Sequence, residues 1–294
     1  MLKQTLVFQN PASLSLKDRQ LVINREGEDC VTRPIEDIGF VVIENQKVHI
    51  SIPLLNALAE NNVSVILCNG KKMPSSMILP LVGNTTQGES YRYQIEVSLP
   101  TKKNIWKQII ESKIRNQAAL LDLLGMDSEE LKPYWKNVKS GDADNREGAA
   151  SRIYWKMLFG NDFFRERGAE DAPNCLLNYG YTILRAATAR ALVGSGLLPA
   201  FGIFHRNRYN AFPLADDIME PYRPFVDQLA YSLYREGARK LTPEVKRTLI
   251  SILTVDVVIG EIIKPLSLAL SSTTASLVRV FSQEGKQIQC PVLV

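Results

Sequence analysis

Histidine is the scarcest ionisable residue in this 294-residue sequence, with two copies, so chemistry that needs an imidazole has few places to sit. His49 falls in Lys47-Val48-His49-Ile50, an alternating pattern, and reads as a half-exposed strand residue. His205 lies in the polar segment Gly202-Ile203-Phe204-His205-Arg206-Asn207-Arg208-Tyr209-Asn210, between two stretches of helical period, and connections of this kind are where function concentrates. Asp216-Asp217-Ile218-Met219-Glu220 follows it. Carboxylates three and four apart share a face if the segment is helical, and they repel unless a cation neutralises them. A helix N-terminus accounts for Asp216 and Asp217 better than for Glu220, and Pro221 and Pro224 interrupt a straight helix here. Glu147 is the other acidic candidate. It opens a helical pattern beside Gly148, Ala149 and Ala150, small residues that permit close approach of a helix or a ligand, although the helix dipole alone also favours a glutamate there.

One imidazole and two or three carboxylates from separate segments would make an oxygen-rich site for Mg²⁺ or Mn²⁺. Zinc is disfavoured because the four cysteines are scattered and no second histidine lies near. A hard cation in such a site polarises a phosphoryl oxygen and activates a hydroxyl for in-line attack. Arg146, Arg152, Tyr154 and Trp155 flank one segment, and Arg206, Arg208, Tyr209 and Arg223 flank the others, which suits a phosphodiester better than a sugar or a peptide. Arg146, Arg206, Arg208 and Arg223 are accordingly expected to contact the phosphate backbone of a nucleic acid. No GxxxxGK[ST], GxGxxG or GxSxG motif occurs where nucleotide-driven or serine-hydrolase chemistry needs one.

The elements that must hold these side chains change character part-way along the chain. Residues 5–8, 20–23, 38–43, 47–50 and 63–67 are short β-branched runs parted by turn residues, with a single short helix expected after Ser51, where Pro53 suits a first turn. After a polar, glycine-bearing stretch the period becomes helical, with patterns near 105–124, 147–158, 175–193, 224–239 and 243–263. The expected fold class is α+β: a small N-terminal β domain over residues 1–83, a linker over 84–90, and a larger all-α catalytic domain over 91–294. Asn178 and Tyr179-Gly180-Tyr181 are expected on a helix packed against the one that bears Glu147.

Residues 1–83 hold eight basic and eight acidic side chains, so the formal charge of +4 belongs entirely to the remainder. A pI near 8.8 permits a polyanionic partner without requiring one. The hydrophobic share of 45% fits a globular chain rather than a disordered one, and the apolar runs are too short for a bilayer span, so no membrane association is expected. Unpaired cysteine spacing and the lack of a secretory pattern at the N-terminus favour a cytoplasmic protein.

Four motifs then occur in order: Asn145-Arg146-Glu147-Gly148-Ala149-Ala150, Leu177-Asn178-Tyr179-Gly180-Tyr181, His205, and Leu214-Ala215-Asp216-Asp217-Ile218-Met219-Glu220-Pro221-Tyr222-Arg223-Pro224. With the β-then-α organisation and the length, they make the sequence resemble the CRISPR-associated integrase of spacer acquisition, CRISPR-associated protein one, in the form of its type II branch. The resemblance implies a metal-binding triad of Glu147, His205 and Glu220, with Asp217 as second choice for the third ligand. It further implies a homodimer built through the β domains, and two such dimers bridged by CRISPR-associated protein two. The implied reaction is attack by the 3′ hydroxyls of a double-stranded prespacer on phosphodiesters of the repeat DNA. Two other readings of the residues are a DNA-binding scaffold whose acids merely cap helices, and a metal-dependent phosphohydrolase of small substrates.

Overall fold

The β-branched runs of the first third do pair as strands. A computed structural model of the chain describes residues 3–294 and divides into two units, Met1–Thr85 and Thr86–Val294. In the first unit the strands are β1 (Gln4–Phe8), β2 (Ser13–Lys17), β3 (Gln20–Asn24), β4 (Val31–Pro34), β5 (Ile38–Ile43), β6 (His49–Ile50), β7 (Ser64–Cys68) and β8 (Pro74–Ile78), with one helix, α1 (Ile52–Glu60), between β6 and β7. They form two four-stranded sheets, in the orders β1-β5-β7-β8 and β4-β3-β2-β6. Strand β5, Ile-Gly-Phe-Val-Val-Ile, lies between parallel neighbours β1 and β7 and is buried along its whole length, which is why it reads as a continuous apolar run rather than an alternating one. Leu14, Leu21, Ile38, Val41, Leu54 and Leu58 belong to the core of this unit. The β2–β3 hairpin turns through Asp18 and Arg19, both left-handed at φ 50° and 58°. His49 is exposed on β6, paired with Ser13, as its alternating context suggested.

The second unit is mainly helical. Its helices are α2 (Gln87–Glu96), α3 (Leu99–Leu123), α4 (Lys132–Lys136), α5 (Arg146–Phe159), α6 (Asn174–Gly194), α7 (Pro213–Ile218), α8 (Arg223–Arg235), α9 (Pro243–Ile250) and α10 (Leu266–Phe281). Three expectations are corrected here. The 84–90 linker already contains the start of α2, because tertiary bonds hold that helix: Gln94 Nε2 donates to the carbonyls of Leu198 and Phe201 at 2.9 and 3.0 Å. The unit is not all-α, since the pattern over 243–263 stops being helical at Ile250. Beyond a short turn, β9 (Asp256–Ile259) and β10 (Ile262–Pro265) form a hairpin at Gly260, φ 63°, and β11 (Pro291–Val292) joins β9. Their β-branched residues favour an extended backbone once a left-handed glycine allows the turn. Finally, α6 carries Asn178 to Tyr181 as expected but packs on α8, while α5 meets α3. Gly180 is what permits this: a Cβ there would lie 2.4 Å from Val226 Cγ1.

Candidate active site

Glu147 stands in the first turn of α5, and the preceding loop fixes that helix start. Asp142 accepts the backbone N–H groups of Arg146 and Glu147 at 2.7 and 3.1 Å, and Asn145, itself left-handed at φ 52°, accepts that of Gly148 at 3.2 Å. The cap therefore belongs to Asp142 and Asn145, and the Glu147 side chain is left to Ser151, whose hydroxyl donates to Oε1 at 3.0 Å, and to Lys113.

Glu220 and Asp217 do not share a helix face. Helix α7 ends at Ile218, and Glu220-Pro221-Tyr222 form a 3₁₀ turn before α8, as the prolines require. The two carboxylates consequently part. Asp217, fully buried, turns back onto the 203–205 loop: Oδ2 accepts from the N–H groups of Ile203 and Phe204 at 2.6 and 3.0 Å, and Oδ1 accepts from His205 N at 3.1 Å and pairs with His205 Nδ1 at 2.6 Å. Gly202 makes the tight loop possible, since a Cβ there would sit 2.6 Å from the His205 carbonyl and 3.1 Å from Asp217 Oδ2. Asp216 points elsewhere, to Arg185 Nε at 3.1 Å and Asn210 Nδ2 at 2.7 Å. The turn bearing Glu220 is anchored by Asn116 of α3, which donates to the Pro221 carbonyl at 2.8 Å.

The result is one cavity of about 190 Å³ lined by Glu147, His205 and Glu220, three side chains far apart in sequence. Lys113, from the middle of α3, reaches between the two glutamates, bonded to Glu147 and 2.7 Å from Glu220 Oε2, while Arg223 Nε lies 3.0 Å from Glu220 Oε1. Burial alone would push the Glu220 carboxyl up, but Arg223 and Lys113 outweigh it and hold it at about 2. Lys113 holds Glu147 below the ordinary carboxylate range. His205 is shifted up, chiefly by its hydrogen bond to Asp217, against the opposing effect of burial. Its ring also stands edge-on to Trp106 and Phe204, which stack on each other at 4.2 Å.

Of the arginines expected to meet DNA, only Arg223 lines the cavity. Arg206 and Arg208 are exposed on the loop beyond His205, and Arg146 stacks near Tyr134 and faces Asp144 at 3.8 Å. Sequence reasoning missed Lys113, hidden in the apolar stripe of α3, and also Arg165, Arg167 and Asp227, which line the same cavity. The Arg165 guanidinium is fastened by Asn174 Oδ1 at 3.1 Å and Asn178 Oδ1 at 2.7 Å, so the Asn178 motif serves to hold an arginine. Asp227 is buried on α8, accepting the hydroxyls of Tyr181 and of Tyr154, the latter at 2.8 Å; burial pushes its carboxyl up to about 6.

Residues 5–249 match the family described as CRISPR associated protein Cas1. The chain belongs to the Cas1 family. It is 42% identical over 254 residues to the CRISPR-associated endonuclease Cas1 of Neisseria meningitidis serogroup C, covering 85% of this chain and 83% of that relative. Among solved structures, a casposase bound to integration product superposes with a TM-score of 0.79 at 20% identity over 98% of this chain and 92% of that one. A Cas6-RT-Cas1–Cas2 complex superposes at 0.74 and 20% identity over 97% of this chain and 35% of that one. At those identities the likeness is one of fold, and it confirms strands followed by a mainly helical region for this Cas1-family chain.

Among the described residues, no group of three or more His, Cys, Asp or Glu side chains is arranged to hold a metal ion as it stands. The Lys113 ammonium instead lies between the Glu147 and Glu220 carboxylates, in contact with both. The donor set nevertheless fits a hard divalent cation. Glu220 Oε2 is buried and accepts no hydrogen bond, its contact with Lys113 being an ion pair outside hydrogen-bond geometry. His205 has Nδ1 committed to Asp217, the arrangement that leaves the other ring nitrogen for a metal.

Proposed function

We propose that this Cas1-family chain is a metal-dependent DNA integrase and endonuclease of CRISPR spacer acquisition. It joins the 3′ hydroxyls of a double-stranded prespacer to phosphodiesters of the repeat. One observation carries the reading: Glu147 from α5, His205 from a loop and Glu220 from a 3₁₀ turn line a single cavity together with arginines.

Glu147, Glu220 and the unengaged ring nitrogen of His205 would hold Mg²⁺ or Mn²⁺. When bound, such an ion polarises a phosphoryl oxygen and favours the alkoxide form of an attacking hydroxyl. Asp217 is a positioning residue, fixing ring orientation and tautomer through Nδ1 and tying the 203–205 backbone in place. Arg223 and Arg165, each stacked on a face of Tyr181 with Cζ 4.5 and 5.2 Å from the ring centroid, present fixed positive charge to a phosphodiester's non-bridging oxygens. Exchange of one phosphodiester for another conserves the bond, so no nucleotide is consumed and no P-loop is needed.

The same reading assigns dimerisation to the strand-rich domain of residues 1–83 and catalysis to the helical one. Its partners are a second copy of the chain, Cas2 bridging two such dimers, and the prespacer and repeat DNA. A solved neighbour in fold is bound to integration product and another sits in a complex with Cas2, which supports these partners. The type II branch is the assignment for the system as a whole. No helix among the described residues is long and apolar enough to cross a membrane, and cytoplasmic residence is part of the proposal.

The test is strand transfer of a short duplex with recessed or blunt 3′ ends into a supercoiled plasmid bearing the repeat, with Cas2 supplied. Glu147→Gln, His205→Ala and Glu220→Gln should each lower the rate by at least about 100-fold while the far-ultraviolet circular dichroism is kept. Wild-type rates in folded variants would leave a DNA-binding scaffold.

A further inference from the structure

Buried lysines are uncommon, and one that faces two acids in a cavity calls for a reason. Lys113 emerges from α3 beside Ile109, Ile110 and Ile114, and its side chain is 8% exposed. The ammonium bonds Glu147 Oε1 and lies 2.7 Å from Glu220 Oε2. Structural neutralisation of Glu220 does not need it, because Arg223 already covers the other oxygen at 3.0 Å. Its position is the one between the carboxylates that a cation shared by both must take.

We propose that Lys113 is a built-in counter-cation of the Glu147–Glu220 pair, which a divalent cation displaces on binding. The inference rests on the metal role assigned above to those two glutamates. Two carboxylates confined in one desolvated cavity repel, and a single ammonium relieves the repulsion while the site rests. Lys113 and Arg223 together balance the two acids, so an incoming dication must first move the ammonium off. The flexible four-carbon stem of lysine allows that movement, whereas a planar arginine fork would be harder to turn aside. Lys113 thus ligates nothing: it weakens resting affinity for divalent cations and keeps the acids ionised and close enough for a cation to find them.

Removing the competitor should tighten binding even as it costs resting stability. Free Mn²⁺ can be counted by electron paramagnetic resonance as it is titrated into the metal-stripped full chain, comparing wild type with Lys113→Met, Lys113→Gln and, as a control for the site, His205→Ala. The expected result is Mn²⁺ binding at least about tenfold tighter in both lysine variants than in wild type, abolished by His205→Ala. Thermal unfolding adds a readout independent of activity: both variants should melt below wild type without metal and gain more from Mn²⁺ than wild type does. If a variant fails to fold without metal, recovery of its circular dichroism on adding Mn²⁺ supports the proposal, and failure to recover counts against it. Equal or weaker Mn²⁺ affinity in folded Lys113 variants, with binding still lost in His205→Ala, overturns the counter-cation role alone. Absence of Mn²⁺ binding in wild type, or binding untouched by His205→Ala, overturns the metal reading and this inference with it.

Discussion

Replacing Asp217 with asparagine tests whether one buried carboxylate organises the loop that carries His205. Asp217 accepts from three consecutive backbone N–H groups at 2.6, 3.0 and 3.1 Å and from the imidazole at 2.6 Å. Asparagine retains one oxygen, which can still serve two of these donors, but its amide group then confronts the other two donors. A hydrogen bond to a charged group contributes about 1.5–3 kcal/mol, so losing two of the four predicts about 3–6 kcal/mol of destabilisation. Urea unfolding reads this as a lower midpoint at unchanged slope. The titration of His205 is a second readout, and with two histidines in the chain its proton resonance is resolvable, His49 serving as the internal reference. The hydrogen bond to Asp217 holds His205 above its ordinary value of 6.5, so in metal-free Asp217→Asn the value should fall, burial then being opposed only by the charges of Glu220 and Asp216. A group raised on folding contributes stability that is full below its unfolded value and is lost as pH rises through the folded one. Wild type should therefore lose this increment above pH 6.5, and the variant should lack the slope. A midpoint within about 0.5 kcal/mol of wild type, with His205 titrating unchanged, would refute the account of the loop.

Three further outcomes follow from neighbouring geometry. Asp227 is raised from 3.8 to about 6 by burial, so its contribution is full below pH 3.8 and lost as pH climbs through 6. Over that window wild-type stability should fall relative to Asp227→Asn by up to about 3 kcal/mol in calorimetry, and parallel profiles would count against the burial argument. Gly180→Ala places a methyl 2.4 Å from Val226 Cγ1 and should cost about 1–3 kcal/mol, part of it recovered on adding Val226→Ala; strict additivity in the double variant would show that the helices are not in close contact there. Arg165→Ala should weaken binding to duplexes of unrelated sequence alike and reduce the slope of log affinity against log salt by about one, whereas an unchanged slope removes Arg165 from the phosphate contacts.

Residue type and order alone placed Glu147, His205 and Glu220 among the candidates, because scarce imidazole and clustered carboxylates are visible without coordinates. The change from strands to helices was legible for a related reason, since hydrophobic period is a local property. The strands β9 and β10 were missed because Pro243–Ile250 and the β-branched residues after it form one unbroken apolar pattern, which a short turn divides. Periodicity cannot register such a division. Asp217 and Glu220 look interchangeable in a string that puts them three apart; the end of α7 at Ile218 separates them, sending one to the backbone and the other to the cavity. Lys113 was invisible for the opposite reason: a lysine in an amphipathic helix is ordinarily on the wet face, and only the convergence of α3, α5 and the Glu220 turn makes its position a buried one. Residue identities and their spacing set which side chains were available for chemistry and the order of the elements. Tertiary structure alone decided which acid faces the cavity, which cation sits between the acids and which arginines surround them, because those facts depend on long-range contacts that no local pattern encodes.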